Sequence, residues 1–169
     1  YFLDARDEFV SGIMQSYDEK KFVSISQANL DLDSEEEKKE IEEKTAENKD
    51  MLTAMKDALA DKVKEVRISS RLIDDPVCIV ADEGVSLDME RYMANDPMNK
   101  DRAITATKIL EINPNHPIFN KLREVSTSSP DKLKEYTDVL YDQALLIEGL
   151  PIKNPVEFAK KITNLIVDA

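Results

Sequence analysis

The sequence predicts an α+β protein, mostly helical, with packed helices around a small mixed three-stranded sheet and a C-terminal helical hairpin. Three observations point there. Glycine is scarce, at 3 of 169 residues, while charged residues reach 34%, a composition that favours helices over a glycine-rich barrel or a phosphate-cradling loop. Apolar residues recur at helical spacing over much of the chain, with short β-prone segments between them. Two segments near the C-terminus open on Ser-Pro and Asn-Pro, which start helices, and carry wide apolar faces. At 41% hydrophobic residues the chain can bury one compact core or two small ones.

The first stretch, YFLDARDEFVSGIMQSY, places Phe2, Leu3, Phe9, Val10, Ile13, Met14 and Tyr17 at helical spacings, and KKFVSIS then alternates like a short strand. Residues 1–32 therefore read as a small helix-plus-strand unit. Residues 33–50, DSEEEKKEIEEKTAENKD, hold 9 acids and 4 bases, with Glu35–Lys39 and Glu40–Lys44 at the favourable i, i+4 spacing. The interspersed lysines favour a solvated connecting helix over an acidic partner-binding tail. Residues 51–169 form the third region. Its opening stripe of Met51, Leu52, Met55, Leu59 and Val63 docks the helix as it runs toward Lys64. EVRISSRL and PVCIVAD read as neighbouring strands across a turn at Asp74, Asp75 and Pro76, and TKILEI, residues 107–112, completes the sheet.

In KILEINPNHPIFNKL, Asn113 and Pro114 stop the strand, Asn115 is the expected N-cap of the next helix, and Pro117 suits its first turn. Ile118, Phe119 and Leu122 give that helix its buried side. His116 is the only histidine. An enzyme using it as acid and base needs an oriented carboxylate that the sequence does not identify, and no nucleophile elbow or phosphate loop accompanies it. It reads as structural, so no catalytic, metal or cofactor residue is expected here.

SSPDKLKEYTDVLYDQALLIEG starts with Ser129 as N-cap, Pro130 at the first position and Asp131 near the positive end of the dipole, and stops at Gly149. NPVEFAKKITNLIVDA repeats the signal with Asn154 and Pro155. The first helix offers Leu133, Tyr136, Leu140 and Leu146, the second Phe158, Ile162, Leu165 and Ile166, as candidates for packing against a second copy in a dimeric four-helix bundle. Periodicity alone equally allows both helices to cap the protomer's own sheet.

GVSLDMERYMANDPMNK forms a short helix between Ser86 as N-cap and Asn95-Asp96-Pro97. Val85, Met89, Tyr92 and Met93 fall to one side, Asp88, Glu90 and Arg91 to the other, and Met98 follows beyond the break. A methionine face can repack against many apolar partners, although spacing alone favours ordinary core packing.

The net charge of −12, from 35 acids against 23 bases, repels phosphates, so nucleic acid is not an expected partner. The one cysteine, Cys78, lies in the apolar run VCIVAD and reads as a buried free thiol of a reducing compartment. The apolar runs fall well short of the roughly 18–20 residues that span a bilayer, and no signal-peptide pattern opens the chain. A soluble cytoplasmic protein without a membrane partner is expected. Tyr1 falls within the helical pattern, as it would in a piece excised from a longer polypeptide.

RISSRLIDDPVCIVADE, ILEINPNHPIFNKL and YTDVLYDQALLIEGLPIKNPVEFAKKITNLI, in that order, resemble the C-terminal domain of the heat-shock protein 90 chaperone family, in its bacterial HtpG branch. LDARDEFV, YDEKKFVSIS and NLDL are similar to the end of that family's middle domain. The likeness covers nearly the whole chain. It implies a molecular chaperone that is a constitutive homodimer, held by the last two helices. It also implies that Met89, Tyr92 and Met93, with Met98 just beyond, contact non-native client proteins, which reverses the core preference. The ATP-binding domain, with its ATP and Mg, and the catalytic arginine loop lie outside this chain, so the piece itself is expected neither to hydrolyse ATP nor to hold a cofactor. The ending LIVDA lacks the Met-Glu-Glu-Val-Asp tail, so tail-recruited repeat co-chaperones are not implied. The alternative is a helical dimerisation or scaffold module without chaperone activity, which predicts no affinity for non-native chains; a His-dependent enzyme comes third.

Overall fold

The structure, a computed structural model, describes residues 7, 10, 14, 16–22, 34–82, 84–95 and 104–167. In chain order the elements are β1 (Ser16–Tyr17), β2 (Lys20–Lys21), α1 (Glu35–Glu47), α2 (Lys49–Leu59) with a 3-10 turn over Ala60–Lys62, β3 (Glu65–Ile68), β4 (Val77–Ala81), α3 (Leu87–Asn95), β5 (Lys108–Ile112), α4 (Pro117–Ser128), α5 (Pro130–Ile147) and α6 (Pro155–Val167). They divide into two compact units, one of Tyr1–Asp31 with Ala81–Thr107, the other of Leu32–Val80 with Lys108–Ala169. The predicted class, α+β and mostly helical with a small mixed sheet, is the observed one.

The larger unit begins at Ser34, whose Oγ accepts from Glu37 N (3.2 Å) while Glu37 Oε2 accepts from Ser34 N (2.7 Å), a reciprocal cap that fixes the start of α1. No residue of α1 is buried, as its charge pattern requires. Glu40 and Lys44 pair at 2.7 Å as expected, but Glu35 takes Lys38 at 3.1 Å rather than Lys39. The expected single helix is two: at Asn48, which is buried, the side-chain amide donates to Lys44 O (2.7 Å), and an asparagine competing for backbone partners interrupts the helical run. Beyond it α2 buries Met51, Leu52, Met55 and Leu59. It ends at Leu59, short of Lys64, because Ala60 turns the chain at φ 49°, ψ −121°, a strained conformation for a residue with a Cβ.

The sheet runs β3-β5-β4. β5 lies parallel to β3, with Val66 opposite Leu110 and Arg67 opposite Glu111. On the other side it runs antiparallel to β4, flanked by Asn113 N donating to Pro76 O (2.9 Å) and Asp82 N donating to Thr107 O (2.8 Å). EVRISSRL and PVCIVAD are therefore not neighbours, which corrects the sequence reading. The physical reason lies in β5: all five residues of KILEI are buried, which suits a central strand, and the link between β3 and β4 is too long for a tight hairpin. That link is braced from within by Asn113, fully buried, whose Nδ2 donates to Ile73 O and Asp75 O at 3.0 Å each. Ile73 is left 85% exposed at its tip.

Against the sheet, α2, α4 and α5 pack together around Met55, Leu59, Leu110, Ile112 and Leu122, all inaccessible to solvent. The N-cap of α4 is His116 rather than Asn115: its Nδ1 accepts from Ile118 N at 3.2 Å. Asn115 is drawn back instead, its N–H bonded to Asn113 Oδ1 (2.9 Å). Ser129 occupies the N-cap position of α5 without a side-chain cap bond. The helix closes on Gly149 at φ 68°, with Leu150 N donating to Leu145 O and Gly149 N to Leu146 O, the paired bonds that let glycine stop a helix. At the start of α6, Asn154 Oδ1 accepts from Glu157 N (3.1 Å) and its Nδ2 donates to Glu157 Oε2 (3.1 Å).

In the smaller unit Asp7, Val10 and Met14 are helical. Tyr17 is not part of that helix; with Ser16 it forms β1, paired antiparallel to β2 across Asp18 and Glu19, which turn at φ 51° and 60°. Phe2, Leu3, Phe9 and Ile13, and the rest of the expected strand from Val23, lie outside the described residues. Ser86 caps α3 as expected, accepting from Met89 N at 3.0 Å. Among the described residues, no helix is long and apolar enough to cross a membrane.

Candidate interaction surfaces

The hairpin of α5 and α6 carries the candidate dimer residues, and the structure divides them. Leu133 and Leu140 are buried within the protomer. Along this stripe α5 faces α2 and α4, so both side chains pack in the protomer's own core. Tyr136 is half-buried. Leu146 is 48% exposed and its neighbour Ile147 53%.

α6 differs in kind. Its sequence is apolar, yet none of its residues is buried. Phe158, Ile162 and Leu165 are half-buried on the side that carries Lys161 toward α5. The opposite side bears Val156, Ala159, Thr163 and Ile166, with Val156 65% and Ile166 71% exposed. A shallow groove of about 570 Å³ follows it, lined by Pro155, Val156, Ala159, Lys160, Thr163 and Asn164. Ala159 and Thr163 were missed at the sequence level. The signal was present, since Val156, Ala159, Thr163 and Ile166 recur at helical spacing on a second face.

Between the two helices sits a charged cluster. Asp138, largely buried, receives Lys62 on Oδ1 (2.9 Å) and Lys161 on Oδ2 (2.8 Å). Lys62 comes from the 3-10 turn behind Ala60 and lies 5.5 Å from the centre of the Tyr141 ring. Glu157, one turn before Lys161, stands 3.4 Å from its ammonium. Burial works against the charge of Asp138, but the hydrogen bonds from Lys161 and Lys62 outweigh it and hold the carboxyl below its ordinary value. Burial likewise opposes the charge of Lys161, and the bond to Asp138 raises it above its ordinary value. Asp142, on the same helix, is pushed up by burial. The Asp138 contribution to stability is thus present above the ordinary aspartate value and lost as pH falls through the lowered one. That of Lys161 is present below the ordinary lysine value and lost as pH rises through the raised one. The bridge spans the whole neutral range.

A second network pins the sheet. Glu111 on β5 is 2% exposed and receives Arg67 Nη2 (2.6 Å) and Nε (3.1 Å), Arg71 Nη2 (3.1 Å), Ser69 Oγ (3.0 Å) and Cys78 Sγ (3.6 Å). Cys78 is a free, half-buried cysteine: burial first, and then the charge of Glu111, push its thiol up to about 12. Among the described residues no group of histidines, cysteines and carboxylates is arranged to hold a metal.

On α3, Leu87 is buried, Met89 and Met93 are half-buried and Tyr92 is 53% exposed. Asp88 and Arg91 pair along the helix, and Glu90 Oε2 accepts from Ala106 N at 2.8 Å. Met98 lies outside the described residues.

The described residues thus form a mostly helical α+β fold whose small sheet lies behind three helices and whose last helix is apolar with no buried residue. The family model described as Hsp90 protein matches residues 1–169, and the chain belongs to that family. It is 45% identical over 167 residues to the chaperone protein HtpG of Bacillus subtilis (strain 168), a match covering 99% of this chain and 26% of that protein. With the chaperone protein HtpG of Shouchella clausii it shares 46% over 167 residues, and with that of Clostridium acetobutylicum 46% over 166 residues, each again 26% of the relative. The chain thus spans about a quarter of the length of the curated relatives it matches.

Proposed function

We propose that this chain is the dimerisation and client-contact portion of a cytoplasmic, ATP-dependent molecular chaperone that assists protein folding. The observation that carries the reading is α6: an apolar helix with no buried residue and a groove along its outer side, in a chain belonging to the Hsp90 family. A second copy laying its own α6 and the end of α5 into that groove would cover Val156, Ile166, Leu146 and Ile147 together, and a two-fold axis makes the surface self-complementary. The dimer holds two ATPase arms at high effective concentration, so their closure becomes intramolecular. ATP and Mg bind to parts of the polypeptide beyond this chain, which itself supplies assembly and contact.

Client binding falls to α3. Tyr92 presents an exposed ring beside two half-buried methionines, flexible side chains that adapt to many apolar partners. Changing Met89→Asp and Met93→Asp together is expected to weaken binding of a fluorescently labelled, permanently unfolded protein by about tenfold or more, the cost of placing charge in an apolar contact. The sedimentation behaviour of the chain should not change. Client affinity equal to the parent's removes α3 from the contact surface.

A further inference from the structure

The helix offered to the second copy meets its own protomer through half-buried apolar side chains and one charged cluster. α6 buries no residue, and its half-buried side chains Phe158, Ile162 and Leu165 surround one strong polar anchor, Lys161 on Asp138 at 2.8 Å. That anchor is itself fixed from the far side, because Lys62 occupies the other oxygen of Asp138 at 2.9 Å and is steadied over Tyr141. Two carboxylates complete the surroundings: Glu157, 3.4 Å from Lys161, and Asp142, one turn along α5 from Asp138. The Lys161 side chain is 22% exposed, so dissolved ions reach it, whereas a fully enclosed pair would be shielded from salt.

We propose that Asp138 and Lys161 form an ionic latch that sets the pose of α6 on α5, so that association with the second copy is regulated by the charge on Lys161 and by ionic strength. This rests on the dimer reading above and adds to it what controls the surface. Lys161 points toward α5 while Val156, Ala159 and Ile166 point away, so the latch acts on the dimer through the position of the helix and not by touching the partner. Removing the charge of Lys161 releases α6 in the same way as high salt.

The test uses the 169-residue chain with Lys161→Met, which keeps the aliphatic stem, Asp138→Asn, which keeps the shape, Lys161→Arg as the charge-preserving rescue, and Lys121→Met on α4 as a control. Amide hydrogen exchange across Phe158–Leu165 reads the latch without requiring a dimer, and sedimentation at about 0.05 M and about 1 M NaCl reads association. The first two variants should quicken exchange and raise the dimer dissociation constant, each by about tenfold, as loss of one charge-assisted hydrogen bond implies. They should also lose the salt dependence of the parent, while Lys161→Arg restores it and Lys121→Met leaves both readouts alone. Exchange in α6 identical to the parent's overturns the latch, whatever the state of association. Faster exchange with unchanged dimer affinity overturns its control of the dimer. A parent chain that never associates overturns the dimer reading and its regulation together, while the exchange rates still decide whether the latch exists.

Discussion

Replacing Glu111 with alanine lowers the stability of the chain by about 3–5 kcal/mol, the usual consequence of removing one partner from a buried ion pair. The carboxylate is 2% exposed and receives both Arg67 and Arg71, whose side chains are themselves only 25% and 32% exposed. Its removal takes a buried carboxylate partner from both guanidiniums and from Ser69, whose Oγ also accepts from Arg71 N and Leu72 N at the start of the link to β4. The damage should spread from β5 to both neighbouring strands. Denaturant unfolding measures it. A chemical reporter is built in, because the negative charge of Glu111 helps to hold the Cys78 thiol protonated. In the variant, alkylation of Cys78 at mildly alkaline pH should accelerate. An unfolding midpoint equal to the parent's would show that the network contributes little.

Placing aspartate at both Ala159 and Ile166 should sharply weaken association while leaving the fold intact. Ile166 is 71% exposed and Ala159 is exposed as well, so the protomer loses no packing and bears only a helix-propensity and dipole cost of about 0.5–1 kcal/mol per change. At a paired apolar face two unpartnered carboxylates per copy, repeated by symmetry, should raise the dissociation constant by about a hundredfold or more. The contrast with Leu133 and Leu140 is diagnostic. Those two are enclosed by their own protomer, so truncating them acts first on folding. Unchanged association of the doubly charged variant would place any dimer contact elsewhere.

How much of this was legible in the sequence depends on how local the cause is. The starts of α5 and α6 and the stop at Gly149 follow from Ser-Pro, Asn-Pro and glycine, whose effects act within one turn. The cap of α4 was misplaced by one residue, from His116 to Asn115, because the choice depends on Asn113 capturing the Asn115 N–H. Strand order was not legible either. It depends on which strand is buried on both faces, and that in turn on the helices above it. Glu111 is one of two charged residues in KILEI; its arginine partners lie about forty positions away, beyond any periodicity.

For the candidate surfaces, periodicity identified the apolar sides of α5 and α6 but not what covers each. Leu133 and Ile166 have equal claims in a helical wheel, yet α2 and α4 reach the first and nothing in the described residues encloses the second. The same limit applied to α3, where spacing favoured core packing, while the structure leaves Tyr92 half in solvent with Met89 and Met93 only half-buried.

The dimer reading turns on the exposed apolar side of α6. Sedimentation equilibrium of the unmodified 169-residue chain, from about 0.1 μM to about 100 μM at moderate salt, measures it directly, since a dimer with a dissociation constant of about 1 μM shifts from one chain to two across that range. The mass should approach twice that of the chain as concentration rises, with the transition moved to far higher concentration by aspartates at 159 and 166. A mass that stays at one chain throughout contradicts the account.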